Sequence, residues 1–280
     1  MNFSRQTVRR RLVLVGNGMA GMRTIEELLA LAPEKYDITV FGAEPHGNYN
    51  RILLSPVLAG EKDLDQILIN DESWYTERGI VLHAGREVVA IDRAGRRVIA
   101  ADGTLEAYDR LLLATGSNPF MIPVPGADLP GVVTFRDIRD VDTMLSAARS
   151  GGRQAVVIGG GLLGLEAANG LLKQGMDVTV VHLLDILMER QLDAAAAALL
   201  KRTLEARGLR FLMPAQTAAI LGEDRVRAVQ FKDGLEIPAD LVVMAVGIRP
   251  NIELAKRAGL HCERGVIVND TMQTYDPRIY

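Results

Sequence analysis

The hydrophobic pattern of the chain contains two matching blocks, each with an apolar run, a cluster of glycines and apolar residues at helical spacing. The runs are Arg11–Val15 and Gln154–Ile158, and the helical positions are Ile25, Leu28 and Leu29 in the first block and Leu165, Ala168, Leu171 and Leu172 in the second. An apolar run followed by period-3.6 positions is typical of a buried strand that leads into a helix. Both blocks therefore predict the order strand, tight turn, helix.

The turn carries the same glycine spacing, G-x-G-x-x-G, in both blocks. Its residues are Gly16, Asn17, Gly18, Met19, Ala20 and Gly21 in the first block, and Gly159, Gly160, Gly161, Leu162, Leu163 and Gly164 in the second. In a dinucleotide-binding turn the first glycine permits the tight turn, the second leaves room for the pyrophosphate, and the third lets the helix pack closely on the strand. The phosphates lie at the positive helix N-terminus. One copy is weak evidence, but two copies in matching context predict two dinucleotide sites.

The two blocks differ at the residue that follows the next predicted strand. In the first block, Asp37–Phe41 leads to Glu44, about 20 residues beyond the turn, where a carboxylate can bind an adenosine ribose. In the second block, Asp177–Val181 ends at His182, which we expect to contact the ribose. A carboxylate there favours NAD and a basic group favours NADP, so the choice at the second site stays open, with NAD favoured.

Each block also ends in the same way, with an Asp-Gly pair and a return strand. The pairs are Asp102-Gly103 and Asp233-Gly234, and the return strands close at Gly116 and Gly247. Each half is therefore predicted to be a βαβ unit followed by an antiparallel meander and a return strand. Prolines between 119 and 130 mark a first domain crossing, and Arg249-Pro250 marks the crossing back. The predicted α/β fold has two Rossmann-like three-layer domains, the first comprising 1–118 and 247–280 and the second 119–246.

Composition narrows the functional classes. The chain has 280 residues, 48% of them apolar, and a net charge of −3, with Arg9–Arg11 as the only tight basic cluster, interpreted as a solvated N-terminal arm. These values predict no nucleic-acid partner. The apolar stretches are too short to cross a bilayer, so no membrane association and a cytoplasmic location are expected. Cys262 is the single cysteine and the four histidines stand apart, which argues against a dithiol relay and a metal site.

With these motifs in view, the chain resembles the two-dinucleotide flavoprotein reductases of the pyridine nucleotide-disulfide oxidoreductase family over essentially its whole length. The segment from His46 to Gly60 resembles the reductase module of the nitrite reductase large subunit. The resemblance implies a glutathione-reductase-type fold, with FAD in the first site and NAD(P)H in the second. It also implies contacts to the cofactors from Asn50, Arg51, Val88, Ala114, Thr115, Gly116, Glu166 and Gly247, with Glu166 near the nicotinamide.

Two departures from the family pattern affect the expected sites. Relatives often carry a lysine where this chain has Pro56, which removes the usual partner of Glu166; Arg51 is a candidate substitute, and both residues are candidate catalytic groups. The chain also stops before a Gly-Asp pair that binds flavin in the family. The resemblance therefore implies an incomplete FAD site in a fragment, with siroheme and a [4Fe-4S] cluster expected only in domains beyond it.

The function predicted from the sequence is transfer of hydride from NAD(P)H to FAD and then of electrons to an iron-sulfur/siroheme centre for nitrite reduction. Alignment of the two cofactors would supply most of the catalysis. One alternative is a stand-alone reductase of a rubredoxin- or ferredoxin-type carrier, and another is a non-catalytic redox-sensing module. The sequence leaves open the electron acceptor and the oligomeric state, a homodimer included.

Overall fold

The computed structural model describes residues 9–280, which divide into two compact units. The first unit contains residues 9–50, 68–117 and 250–280, and the second contains 51–67 and 118–249. The chain passes from one unit to the other near residues 50, 67, 118 and 249. The grouping of 51–67 with the second unit has no counterpart in the sequence-based boundaries.

The helices and strands alternate in the order expected of two βαβ units. The α-helices are α1 (Met19–Leu31), α2 (Leu54–Leu58), α3 (Glu72–Glu77), α4 (Ile138–Arg149), α5 (Leu162–Lys173), α6 (Ala194–Ala206) and α7 (Glu253–Arg257). The strands are β1 (Arg10–Val15), β2 (Tyr36–Phe41), β3 (Asn48–Tyr49), β4 (Leu68–Asn70), β5 (Val81–His83), β6 (Val88–Asp92), β7 (Arg97–Ala100), β8 (Leu105–Ala107), β9 (Arg110–Leu113), β10 (Ser117–Pro119), β11 (Val132–Thr134), β12 (Gln154–Ile158), β13 (Asp177–Val181), β14 (Arg210–Leu212), β15 (Thr217–Gly222), β16 (Val226–Phe231), β17 (Glu236–Pro238), β18 (Leu241–Met244) and β19 (Ile248–Pro250).

Each unit is built on a parallel sheet with the glycine-turn strand in an interior position. The order is β5-β2-β1-β9 in the first unit and β11-β18-β12-β13-β14 in the second. In both units the pairing of the first two strands ends immediately before the first glycine, at Val15 with Phe41 and at Ile158 with Val181. Both glycine turns therefore lie at the carboxyl edge of their sheets, where open α/β sheets bind ligands.

The internal repeat extends to individual backbone hydrogen bonds. The amide of Gly16 donates to the carbonyl of Phe41, and the amide of Gly159 donates to the carbonyl of Val181, both at 2.8 Å. The predicted meanders are present as the antiparallel sheets β6-β7-β8 and β15-β16-β17. These features confirm the α/β duplication expected from the glycine spacing and the Asp-Gly turns.

Alternating side chains of β1 give the first unit its three layers. Leu12 and Leu14 pack with Met22 and Ile25 of α1. Val13 and Val15 point to the other face and join a cluster that includes residues of β6 and β7. Successive strand side chains face opposite sides of a sheet, so a run that is buried throughout requires cover on both faces.

The basic cluster near the N-terminus is not a free arm. Arg10 and Arg11 are exposed residues of β1. The guanidinium of Arg11 lies 3.4 Å from the carboxylate of Asp109. This correction arises because the strand begins earlier than its apolar run.

Residues 51–67 belong to the second unit because α2 lies along α5. A methyl group added at Gly170 would come within 2.7 Å of the Leu58 side chain. Gln174 donates to the Leu58 carbonyl at 2.8 Å, and Lys173 pairs with Glu61. These contacts lie at the C-terminal end of α5 and attach the segment to that helix.

Candidate nucleotide-binding sites

The first glycine turn has the steric properties that a dinucleotide site requires. Gly16 has a φ of +111°, and a side chain there would collide with the Ala114 carbonyl. A methyl group at Gly18 would meet no atom within 4 Å, whereas one at Gly21 would lie 2.9 Å from the Gly16 carbonyl oxygen. The turn therefore combines a first position that requires glycine, free space over the second and close helix packing at the third.

The second turn repeats this arrangement. Gly159 has a φ of +126°, and a methyl group added there would collide with the Ala245 carbonyl. A methyl group added at Gly161 would meet no atom within 4 Å. A side chain at Gly164 would collide with the Gly159 carbonyl. In both turns the space beyond the second glycine is where a pyrophosphate would approach the backbone.

The helices that follow these turns begin without a side-chain cap. Gly18 and Gly161 occupy the N-cap positions of α1 and α5, and neither helix has an acidic residue in its first turn. By contrast, Asp71, Asp137 and Asp193 cap α3, α4 and α6 through their carboxylates. The first-turn amides of α1 and α5 are therefore available to an anion.

The middle residue of the first turn is held by a buried tyrosine. The Tyr75 hydroxyl donates to Asn17 Oδ1 at 2.7 Å, and Asn17 Nδ2 donates to the carbonyl of His46. Burial raises the pKa of Tyr75, which keeps the hydroxyl protonated as a donor. Tyr75, on α3, thus packs inward and also fixes the turn.

Ala114, Thr115 and Gly116 lie directly beside the first turn. Ala114 donates its amide to the carbonyl of Val15 at 2.8 Å. The Thr115 hydroxyl donates to the carbonyl of Asn251 at 2.7 Å, and Gly116 has a φ of +69°. The structure therefore brings this triplet and the glycine turn together at one sheet edge.

Glu44 also lies at this edge, in the loop after β2. Its Oε2 accepts a hydrogen bond of 2.7 Å from the Tyr49 hydroxyl, and its carbonyl accepts from the Gly85 amide at 2.9 Å. The carboxylate is partly exposed, whereas Tyr49 is buried. Tyr49 thereby orients a carboxylate that remains within reach of a ligand.

Three other candidates in this part of the chain contribute in different ways. Val88 is buried in the core cluster of the first unit, so its side chain serves packing. Asn50 ends the first stretch of unit one, and Arg51 begins the segment assigned to unit two. Arg51 Nη1 donates to the backbone carbonyl of Arg136.

The second unit contains a cavity of about 930 Å³ around its glycine turn. Its walls come from the turn itself, the loop after β13, the proline-rich segment and the start of β15; the predicted residues Gly159, Gly161, Leu162, Leu163, His182 and Gly247 all line it. Glu189 and Arg190 line it as well. A volume of this size is sufficient for a cofactor.

His182 is held in place by the turn that precedes it in the chain. The Gly160 amide donates to His182 Nδ1 at 3.1 Å. Nε2 is buried without a hydrogen-bond partner in good geometry and lies 3.3 Å from Glu189 Oε2. Only one ring nitrogen is therefore left for any other group.

Glu166 has a partner that the sequence did not indicate. The Ser55 hydroxyl donates to Glu166 Oε2 at 2.6 Å, and both residues are partly buried. Ser55 is the residue before Pro56, so the carboxylate is paired within the segment where a lysine was expected. Glu166 does not line the cavity around the second turn.

Comparison with known proteins agrees with this duplicated arrangement. The family model described as pyridine nucleotide-disulphide oxidoreductase matches residues 10–280. The chain belongs to this family. This family implies an oxidoreductase that binds FAD and NAD(P)H, and the resemblance inferred from the motifs is confirmed.

Individual relatives within the pyridine nucleotide-disulphide oxidoreductases narrow the relationship. The chain is 56% identical to a Bacillus subtilis nitrite reductase [NAD(P)H], over 97% of this chain and 34% of that protein. It is 50% identical to the assimilatory nitrate reductase electron transfer subunit of the same organism, over 97% of this chain and 35% of the relative. The chain thus spans about a third of these relatives.

A solved structure of the covalent putidaredoxin reductase–putidaredoxin complex matches with a TM-score of 0.89 and 31% identity. The match covers 96% of this chain and 66% of the chain in that structure. It agrees with the assignment of two Rossmann-like domains to the pyridine nucleotide-disulphide oxidoreductase fold.

The residues present fit the cofactors that this family implies. Both turns offer open space, uncapped helix amides and no acidic side chain in the first helical turn. Within residues 9–280 no set of three or more His, Cys, Asp or Glu side chains is arranged to hold a metal ion. No helix in that range is long and apolar enough to cross a membrane.

Proposed function

We propose that the first unit holds FAD, that the second holds NAD(P)H, and that the chain is the reductase module of a nitrite-reducing flavoprotein. The observation that carries the proposal is the duplicated turn, with open space over Gly18 and Gly161 in front of uncapped helix N-termini. When bound, FAD accepts a hydride from NAD(P)H and can release electrons singly to an iron-sulfur or siroheme centre.

The side chains of this chain act mainly by placing the two nucleotides. The backbone amides that begin α1 and α5 bind the pyrophosphates, and Glu44 accepts hydrogen bonds from the adenosine ribose of FAD. Ala114, Thr115 and Gly116 close the flavin end of the first turn. Ser55 fixes the carboxylate of Glu166, which we assign a positioning role at the nicotinamide.

The test is an anaerobic visible spectrum of the purified chain with FAD, before and after separate additions of NADH and NADPH. Bleaching of the flavin band by either nucleotide is expected. A second measurement adds nitrite or an iron-sulfur acceptor to the reduced protein, alone and together with the domains of the Bacillus subtilis nitrite reductase that the chain does not match. If the protein binds neither flavin nor a nicotinamide nucleotide, the proposed reductase function is wrong. Bleaching of the flavin without nitrite turnover contradicts only the proposed role in nitrite reduction.

A second candidate function is reduction of a separate ferredoxin-type carrier. It is favoured by the likeness to putidaredoxin reductase, which in that structure is joined to putidaredoxin. Reoxidation of the reduced chain by an added ferredoxin, with no response to nitrite, would support this candidate over the first.

The assignment of Glu44 predicts that Glu44→Ala weakens flavin binding by about ten- to a hundredfold, as expected for loss of a charged hydrogen-bond acceptor. Titration of the apoprotein with FAD measures this change. Tyr49→Phe is the matched control, because it removes the 2.7 Å hydrogen bond to Glu44 and keeps the carboxylate. Its affinity should fall less. Unaltered affinity in Glu44→Ala would count against a ribose contact.

A further inference from the structure

The loop after β13 folds back and places a carboxylate beside the end of that strand. Glu189 stands seven positions beyond His182, yet its Oε2 lies 3.3 Å from His182 Nε2. Both residues line the cavity around the second glycine turn. A carboxylate that is absent from the strand end in the sequence is therefore present beside it in space.

The histidine ring places a donor nitrogen beside this carboxylate. Because the Gly160 amide donates to Nδ1, that nitrogen is an acceptor and the neutral ring carries its proton on Nε2. The His182 side chain is only 11% exposed, and Nε2 has no hydrogen bond of good geometry. A small adjustment of Glu189, which is 33% exposed, would complete the pair. The ring can thus orient Glu189 while the second carboxylate oxygen stays free.

We propose that Glu189 is the specificity-determining residue of this cavity and makes NADH its preferred nucleotide over NADPH. The inference rests on the proposed function, because it takes the cavity as the nicotinamide nucleotide site. A free carboxylate oxygen accepts hydrogen bonds from the hydroxyls of an adenosine ribose. The same oxygen repels a 2′-phosphate, which discriminates by a repulsive contact as well as an attractive one.

The other groups in the loop agree with this assignment. Leu183 and Leu184 follow His182, line the cavity and offer no hydrogen-bond donor from their side chains. Asp185, exposed in the same loop, adds a second negative charge. A phosphate site needs several charge-assisted donors, and the loop places none of these between His182 and Glu189.

Two cationic side chains also line the cavity, and they would favour NADPH instead of NADH. Arg190 follows Glu189, and Lys232 directly follows β16, where its amide donates to the Gln216 carbonyl. Neither has a carboxylate partner among residues 9–280. If these side chains controlled the ribose end of the cavity, the phosphorylated nucleotide would bind more tightly.

The experiment measures binding of ADP-ribose and 2′-phospho-ADP-ribose by calorimetry, since neither probe has a nicotinamide and no redox step interferes. Wild-type protein should bind ADP-ribose at least about tenfold more tightly. Glu189→Gln should reduce this ratio to about threefold or less, and Glu189→Arg should reverse it. Glu223→Gln, at an exposed site away from the cavity, should keep the wild-type ratio.

The possible outcomes distinguish an error in the role of Glu189 from an error in the assignment of the nucleotide site. Binding of both probes with an unchanged ratio in Glu189→Gln and Glu189→Arg overturns the role of Glu189 and leaves the nucleotide site standing. Tighter binding of the phosphorylated probe by the wild type also overturns it. No binding of either probe by folded wild-type protein overturns the site assignment together with the specificity. Melting curves of all variants establish that each is folded.

Discussion

A Gly161→Asp variant is expected to lose at least about a hundredfold in affinity for NAD(P)H while remaining as stable as the wild type. Gly161 has φ −82° and ψ 179°, close to the φ −77° and ψ 171° of Asp193, which caps α6. An aspartate therefore fits the backbone, and as an N-cap it should add a few tenths of a kcal/mol to stability. Its carboxylate would occupy the space meant for a pyrophosphate, where two like charges 4 Å apart repel by about 4 kcal/mol.

The matched control for this variant is Gly161→Asn, which has the same shape and a similar capping ability without the charge. Its affinity should lie between those of the wild type and Gly161→Asp. Thermal unfolding and ADP-ribose titration measure the two properties separately. Wild-type affinity in a folded Gly161→Asp protein would show that phosphates do not bind at this helix.

Gly18→Asp should have the corresponding effect on the other cofactor, with loss of FAD from a protein that still folds. Gly18 has φ −92° and ψ 174°, and a methyl group added there would meet no atom within 4 Å. The electrostatic reason is the same, since the carboxylate would cap α1 and repel the flavin pyrophosphate. Flavin retained after gel filtration is the measurement.

The two aspartate variants control for each other. Gly18→Asp should bind ADP-ribose normally, and Gly161→Asp should retain flavin. Loss of both ligands in either variant would mean that the substitution disturbs folding, and an exchange of the two effects would reverse the assignment of the cofactors to the units.

The fold follows from sequence signals that are local. Each glycine turn requires glycine at three positions. The first, at 16 or 159, has a positive φ; the second, at 18 or 161, leaves free space; and the third, at 21 or 164, lies close to a backbone carbonyl. The Asp-Gly turns of the meanders depend on adjacent residues in the same way. For this reason periodicity and turn chemistry were enough to predict two βαβ units, their meanders and the loop that contains Glu44.

The features that the sequence did not reveal depend on contacts between distant residues. Ser55 meets Glu166 across 111 positions of the chain. Glu189 reaches His182 because an irregular loop folds back, and no periodic pattern encodes such a return. The division of the chain between Asn50 and Arg51 likewise depends on which helix α2 packs against, which the composition of α2 does not specify.

The attachment of α2 to α5 affects how the second unit could be isolated as a working fragment. A fragment cut at the two proline-marked crossings, residues 118–249, would lack Leu58 and leave Gly170 with no apolar neighbour in that position. It would also release Glu166 and Gln174 from the partners they have in residues 51–67. A stable version of this fragment would need residues 51–67, joined through a designed linker or added as a separate peptide. Titration of the fragment with such a peptide would measure how tightly residues 51–67 bind to the rest of the unit.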